Sequence, residues 1–176
     1  FKQSFIMKLT STFIKLFLLL ASISFLMTSC NPEDPQGGEE EITTVVLKFN
    51  NNGPTVTWKE GEPTPTITLD ANTAYTASVE FLNEEDPNDV EDVTAEIREE
   101  DDEHLVCYEV SGGANVTVNR TDSDGTFEIG LATEWTTTDA STGQLILKLR
   151  HQPGVKDGSC DVGESDVEAD FNLTVQ

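Results

Sequence analysis

The chain from Ile42 onward is written in strict alternation. Thr43, Val45, Leu47 and Phe49 interleave with Thr44, Val46 and Lys48, the period of a strand with one buried face. Asn50-Asn51-Asn52-Gly53-Pro54 then forces a turn, and Thr55 to Lys59 returns as a partner carrying Trp58. Gly61-Glu62-Pro63-Thr64-Pro65 breaks the chain again, Ile67 and Leu69 make a short strand, and Asp70-Ala71-Asn72 turns it into a longer one whose inner face is Tyr75, Ala77, Val79 and Phe81. Asn83 to Asp92 reads as an acidic loop. Val90, Val93, Thr94 and Ile97 fit a helical stripe while Val93, Ala95 and Ile97 also fit a strand; the reading favoured is a short helix from about Val90 to Asp101 capped by Asp89, although Glu99 to Asp102 oppose its C-terminal dipole. His104 to Val110, Ala114 to Asn119, Thr126 to Leu131, Leu145 to His151 and Val167 to Val175 follow as strands, with turns at Ser111-Gly112-Gly113, Asp122-Ser123-Asp124-Gly125 and Gln152-Pro153-Gly154. Trp135 opens a Thr-rich stretch that ends at Gly143. About eight strands separated by turn signals predict a mainly β fold: a single antiparallel immunoglobulin-like β-sandwich with one short helix.

Before this domain the pattern is different. Leu16 to Met27 is a run of twelve residues broken only by Ala21, Ser22 and Ser24, preceded by Lys8 and Lys15 and closed by Thr28-Ser29-Cys30. As a helix it would reach about 18 Å, short of a hydrocarbon core of about 30 Å, so it reads as a signal peptide and not a span. Met27-Thr28-Ser29-Cys30 resembles the bacterial lipoprotein signal, in which the cysteine is acylated and becomes the mature N-terminus. An ordinary secretory signal suits Met27 poorly. Residues 1–6 precede the plausible start at Met7 and read as upstream carry-over, 7–29 as the signal, 30–41 as an acidic flexible tether without a packing residue, and 42–176 as the β-sandwich domain. Acidic residues just after the lipidated cysteine resemble the export signal of Bacteroidota surface lipoproteins, which implies an outer membrane location facing the cell exterior.

Charge narrows the partners. Without the signal, 33 acidic residues face 7 basic ones, a net charge of −26. Nucleic acid is excluded, because phosphate binding needs clustered Lys and Arg. An anionic membrane surface is excluded on the same ground, so attachment to the outer membrane rests on the lipid at Cys30. Cys107 and Cys160 remain for a disulfide in an oxidising compartment, closing a loop of 53 residues.

Candidate chemistry is sparse. His104 and His151 are the only histidines, each at a strand edge beside carboxylates. With Glu103, or with Asp102, Asp157 or Asp161, they would suit a divalent metal such as Zn²⁺ or Cu²⁺, and the alternative is two strand-end histidines bonded to backbone or acids. Three residues apart in a strand, His104 and Cys107 face opposite ways and cannot be joint ligands. Asp122-Ser123-Asp124-Gly125 resembles part of a calcium loop, without the later glutamate of an EF-hand, and also reads as a hairpin turn. The acids from Glu84 to Asp92 could hold calcium more loosely. No nucleophile elbow, phosphate loop or zinc-protease helix is present, and the expectation is that the chain is not an enzyme.

Asp102-Glu103-His104, Leu149-Arg150-His151-Gln152-Pro153 and Gly163-Glu164-Ser165-Asp166-Val167 with the strand after them resemble a family of flavobacterial lipoproteins, over nearly the whole mature chain. Members are often labelled with a type 1 periplasmic-binding fold, a larger α/β structure that this alternation does not support. They look like products encoded near TonB-dependent outer-membrane receptors. The resemblance therefore implies a lipid-anchored surface binding module that serves as an uptake accessory. The alternatives are a Zn, Cu or calcium binding surface protein and a structural or adhesive lipoprotein. Where the family pattern has aromatic residues after the first histidine, this chain has Val106 and Cys107.

Overall fold

The computed structural model describes residues 41–176. The expected signal peptide, the expected lipidation site Cys30 and nearly all of the expected tether lie outside the described residues. Two sheets form the fold. The first takes β1 (Thr44–Phe49), β2 (Thr55–Lys59), β4 (Ala74–Asn83), β7 (Val116–Arg120) and β8 (Ala132–Thr137) in the order β2-β1-β4-β8-β7, with the two-residue β5 (Glu91–Asp92) paired to β4. The second takes β3 (Thr66–Leu69), β6 (His104–Ser111), β9 (Ser141–His151) and β10 (Glu164–Val175) in the order β3-β10-β9-β6.

Alternation places the core between them. Val45, Leu47, Phe49, Tyr75, Ala77, Val79, Phe81 and Trp135 from the first sheet form one cluster with Ile67, Val106, Leu145, Leu147, Leu149, Ala169, Phe171 and Leu173 from the second. Trp135 is fully buried, edge-on to Phe49 and Tyr108, with its indole N–H donating to Thr133 Oγ1 at 2.8 Å. That bond removes the cost of burying a bare donor.

The structure corrects four expectations. The strands are not all antiparallel: β3 runs parallel to β10, Thr66 opposite Asn172 through Leu69 opposite Val175. The chain leaves β2 for the other sheet through the proline-rich connector 60–65 and enters it alongside the C-terminal strand. The helix α1 is shorter than predicted, Val93–Glu99. Asp92, not Asp89, caps it, its side chain accepting from Thr94 N, because Glu91 and Asp92 are held in β5 by Leu82 and Asn83. The helix stops where the acidic run begins, as its C-terminal dipole requires. Thr126 to Leu131 is not a strand but carries a single bridge, Ser123 to Glu128. Asp122 takes the N–H groups of Gly130 and Leu131 at 2.8 and 2.9 Å, and Gly130 sits at φ +94°, a conformation open to glycine. Among the described residues the strands number ten with the two-residue β5 included, against the eight or so expected.

Cys107 on β6 is joined by a disulfide to Cys160 in the connector between β9 and β10, with Cα atoms 6.0 Å apart. Arg120 lies against it, NH2 3.1 Å from Cys160 Sγ, while Nε donates to Val106 O at 2.7 Å.

Candidate metal centre

The two histidines meet because of register. His104 and His151 are direct partners across β6 and β9. On β6 the face that holds His104 continues through Val106, Tyr108 and Val110, and on β9 the face of His151 continues back through Leu149, Leu147 and Leu145. Both imidazoles therefore stand on the core-facing side of the second sheet, at its end, where the apolar core stops. Their rings lie 4.8 Å apart between centroids and 7° from parallel.

The turn after α1 frames one side of the pair. Glu100 closes the helix, its N–H donating to Glu96 O, and its carbonyl faces His104 Nδ1 at 3.1 Å. A carbonyl can only accept, so Nδ1 carries the proton and Nε2 is the nitrogen left to bind. Orientation of one imidazole nitrogen by a carbonyl is the usual support of a metal-binding histidine. Ligand atoms of Glu100, His104 and His151 all lie within 4.8 Å of one another. Glu103 Oε2 stands 3.6 Å from His151 Nε2. His104 Nε2 faces Asp166 Oδ2 at 4.0 Å, and both side chains are buried, with 2% and 4% of their surface exposed.

As they stand, the stacked rings do not share an ion. Each nitrogen's lone pair lies in its ring plane, and two nearly parallel planes do not converge on a point about 2 Å from both nitrogens. Binding requires one ring to turn. His151, more exposed than His104, is the one with room to do so.

Glu100 opens onto a recess of about 290 Å³ lined with Asp92, Ala95, Glu96 and Glu99. Its four carboxylates and one methyl group make it a local concentration of negative charge that attracts cations.

Several of the other residues singled out by sequence have partners of their own. Asp122 accepts two backbone N–H groups, and Asp124 accepts those of Thr126 and Phe127 at 2.6 and 2.7 Å. The second oxygen of Asp124 holds Lys156 Nζ at 2.9 Å in a nearly buried pair. An internal ammonium thus stands where the calcium reading put an ion. It holds the Asp124 carboxyl well below the usual range, at about 2, with the N–H groups of Phe127 and Thr126 adding to the effect. In the acidic loop, hydrogen bonds from Lys59 and then Thr44 lower Glu84, and those from Asn88 lower Asp86. Asp157 caps its own loop by accepting from Ser159 N. Glu100 and Asp166 stand beside the histidines, and the sequence reading named neither as a candidate ligand. Glu100 is four residues before His104, a spacing that carried a signal, whereas Asp166 entered only within the Gly163–Val167 motif.

No family model, no curated protein and no solved structure matches the chain.

Proposed function

We propose that this chain is an exported, lipid-anchored surface domain that binds a divalent transition-metal ion, zinc or copper, between His104 and His151. The observation that carries the reading is the cross-strand pairing of the chain's only two histidines on a core-facing sheet end beside Glu100. Two imidazoles with carboxylates are a nitrogen and oxygen donor set that suits Zn²⁺ and Cu²⁺ better than Ca²⁺ or Mg²⁺. A disulfide whose Cys107 is fully buried agrees with an oxidising compartment outside the cytoplasm.

Calorimetric titration and thermal melts test it. Zinc at one hundred times its Kd should stabilise the folded state by about 2.7 kcal/mol, a rise of several degrees in Tm. The His104→Ala/His151→Ala protein, measured against its own metal-free melt, should show no rise. Equal shifts in both proteins would end the proposal.

The anchor and the partner belong to the same proposal. The domain sits on the outer membrane through lipid at Cys30 and works beside a TonB-dependent receptor, as the sequence resemblance implies. A receptor recovered in stoichiometric amount from mildly solubilised outer membranes supports this, and recovery of the protein alone removes it. Within the two-sheet fold, the arrangement we favour is immunoglobulin-like. Support comes from the chain's repeated crossing between two sheets around a buried tryptophan. The disulfide is of another kind, tying a strand to a loop of its own sheet. An experimental structure with sheets packed near −30° is expected, and an orthogonal packing would remove that reading.

A further inference from the structure

We infer that Asp166 is a direct ligand of the metal at this site, delivered to it by a β-bulge in β10. The inference rests on the metal-binding reading above and goes beyond it, because nothing in the strand pattern assigns Asp166 to the histidines.

Inward positions of β10 alternate as Val167, Ala169, Phe171, Leu173 and Val175. Carried back without a break, that alternation turns Asp166 to the outer face. The register is broken there: Ser165 pairs with Arg150 and Val167 with Leu149, so Asp166 is the extra residue of a bulge. A bulge re-aims one side chain at little cost to the ladder, which is why bulges recur beside functional sites. Here its effect is a carboxylate with 4% of its surface exposed, facing the buried His104 Nε2.

The bulge is held from the opposite face. Arg150 donates from NH1 to Ser165 Oγ at 2.6 Å, and from NH2 to the carbonyls of Val162 and Gly163 at 3.0 and 2.5 Å. Gly163 lies at φ +76°, and a Cβ there would collide with the His151 carbonyl. One clamped turn therefore fixes Asp166 beside the histidines before any ion arrives, the preorganisation a ligand needs.

Distance favours ligation. Two donors on one zinc at 2.0–2.2 Å lie roughly 3.4 Å apart in tetrahedral geometry and about 4.2 Å apart at most. The 4.0 Å between Nε2 and Oδ2 is already within that limit, and a small contraction completes the angle. Since His104 Nδ1 is turned to the Glu100 carbonyl, Nε2 is the nitrogen that meets the ion, and Asp166 is the carboxylate it faces. Asp166 thereby joins the donors of Glu100, His104 and His151, which lie within 4.8 Å of one another.

Cobalt(II) as a spectroscopic stand-in for zinc tests the assignment in the full chain. Wild type should bind one Co²⁺ with the intense visible bands of a tetrahedral site. Asp166→Asn should weaken binding at least tenfold and shift those bands, and Asp166→Glu should recover part of the affinity. An Asp166→Asn protein with wild-type affinity and spectrum overturns the ligand role while leaving the metal site standing. Wild type that binds no cobalt, zinc or copper takes down both readings. Should Asp166→Asn not fold, zinc titration of wild type carrying ¹³C-labelled aspartate decides the matter. The Asp166 carboxyl resonance must move with the first equivalent, and a stationary resonance refutes the inference.

Discussion

Lys156 shows how much a single side chain can decide. Its ammonium is nearly buried between Asp124 Oδ2 and the Asp101 carbonyl, and so ties the β9–β10 connector to both the 122–125 turn and the turn that precedes His104. Removing one partner of such a pair leaves the other charge buried and uncompensated, which costs more than the intact pair contributes. Lys156→Met should therefore destabilise the fold more than Lys156→Met combined with Asp124→Asn, as read by urea unfolding of the single and double variants. Acid has a defined effect as well. The Asp124 carboxyl lies at about 2 in the folded state against an ordinary 3.8. A depressed folded value means the stabilisation is fully present above the unfolded value and is lost as pH falls through roughly 4 toward 2. Urea midpoints of wild type should fall across that window, and those of Asp124→Asn should fall less steeply. Parallel curves would remove Asp124 from the acid response.

At the level of elements, the disulfide and the helix cap carry separate loads. Cys107–Cys160 closes a loop of 53 residues, which in the chain-entropy account is worth roughly 4 kcal/mol. Cys107→Ala/Cys160→Ala should lose about that much in denaturant melts, and unchanged stability would mean the connector is held by its other bonds alone. Asp92→Ala should cost about 1 kcal/mol through the cap it removes from Thr94 N. Most strands were legible because each shows an unbroken period of two between turn residues. β1, β4 and the Leu145–Leu149 part of β9 are the clearest cases. Thr126–Leu131 has the same period and is not a strand, since the side chains of Asp124 and Asp122 draw off the N–H groups at its two ends. That competition runs through a side chain, and alternation does not register it. The histidine pair was foreseeable as two strand ends with acids nearby, but their contact depends on register, His104 opposite His151. Asp166 was hidden for the same kind of reason: parity puts it outside, and only the bulge brings it in.

For the whole molecule, charge and site point the same way. A net charge of −23 draws cations to the surface, and the recess at Glu100 concentrates four carboxylates near the turn before His104. The same charge repels anionic lipid, so the proposed attachment falls to acyl chains on Cys30. Cys30→Ser should then release the protein from the membrane fraction or stall its processing, whereas a variant that remains acylated and membrane-bound would contradict the anchor. The central claim is narrower: one transition-metal ion sits between the two paired histidines. Anomalous diffraction at the zinc edge, on crystals grown with one equivalent of zinc, tests it most directly. A single strong peak is predicted about 2 Å from His104 Nε2 and from a nitrogen of a His151 ring turned out of its stack, with oxygens of Glu100 and Asp166 completing the tetrahedron. Crystals that show the two rings still stacked and no zinc between them would contradict it.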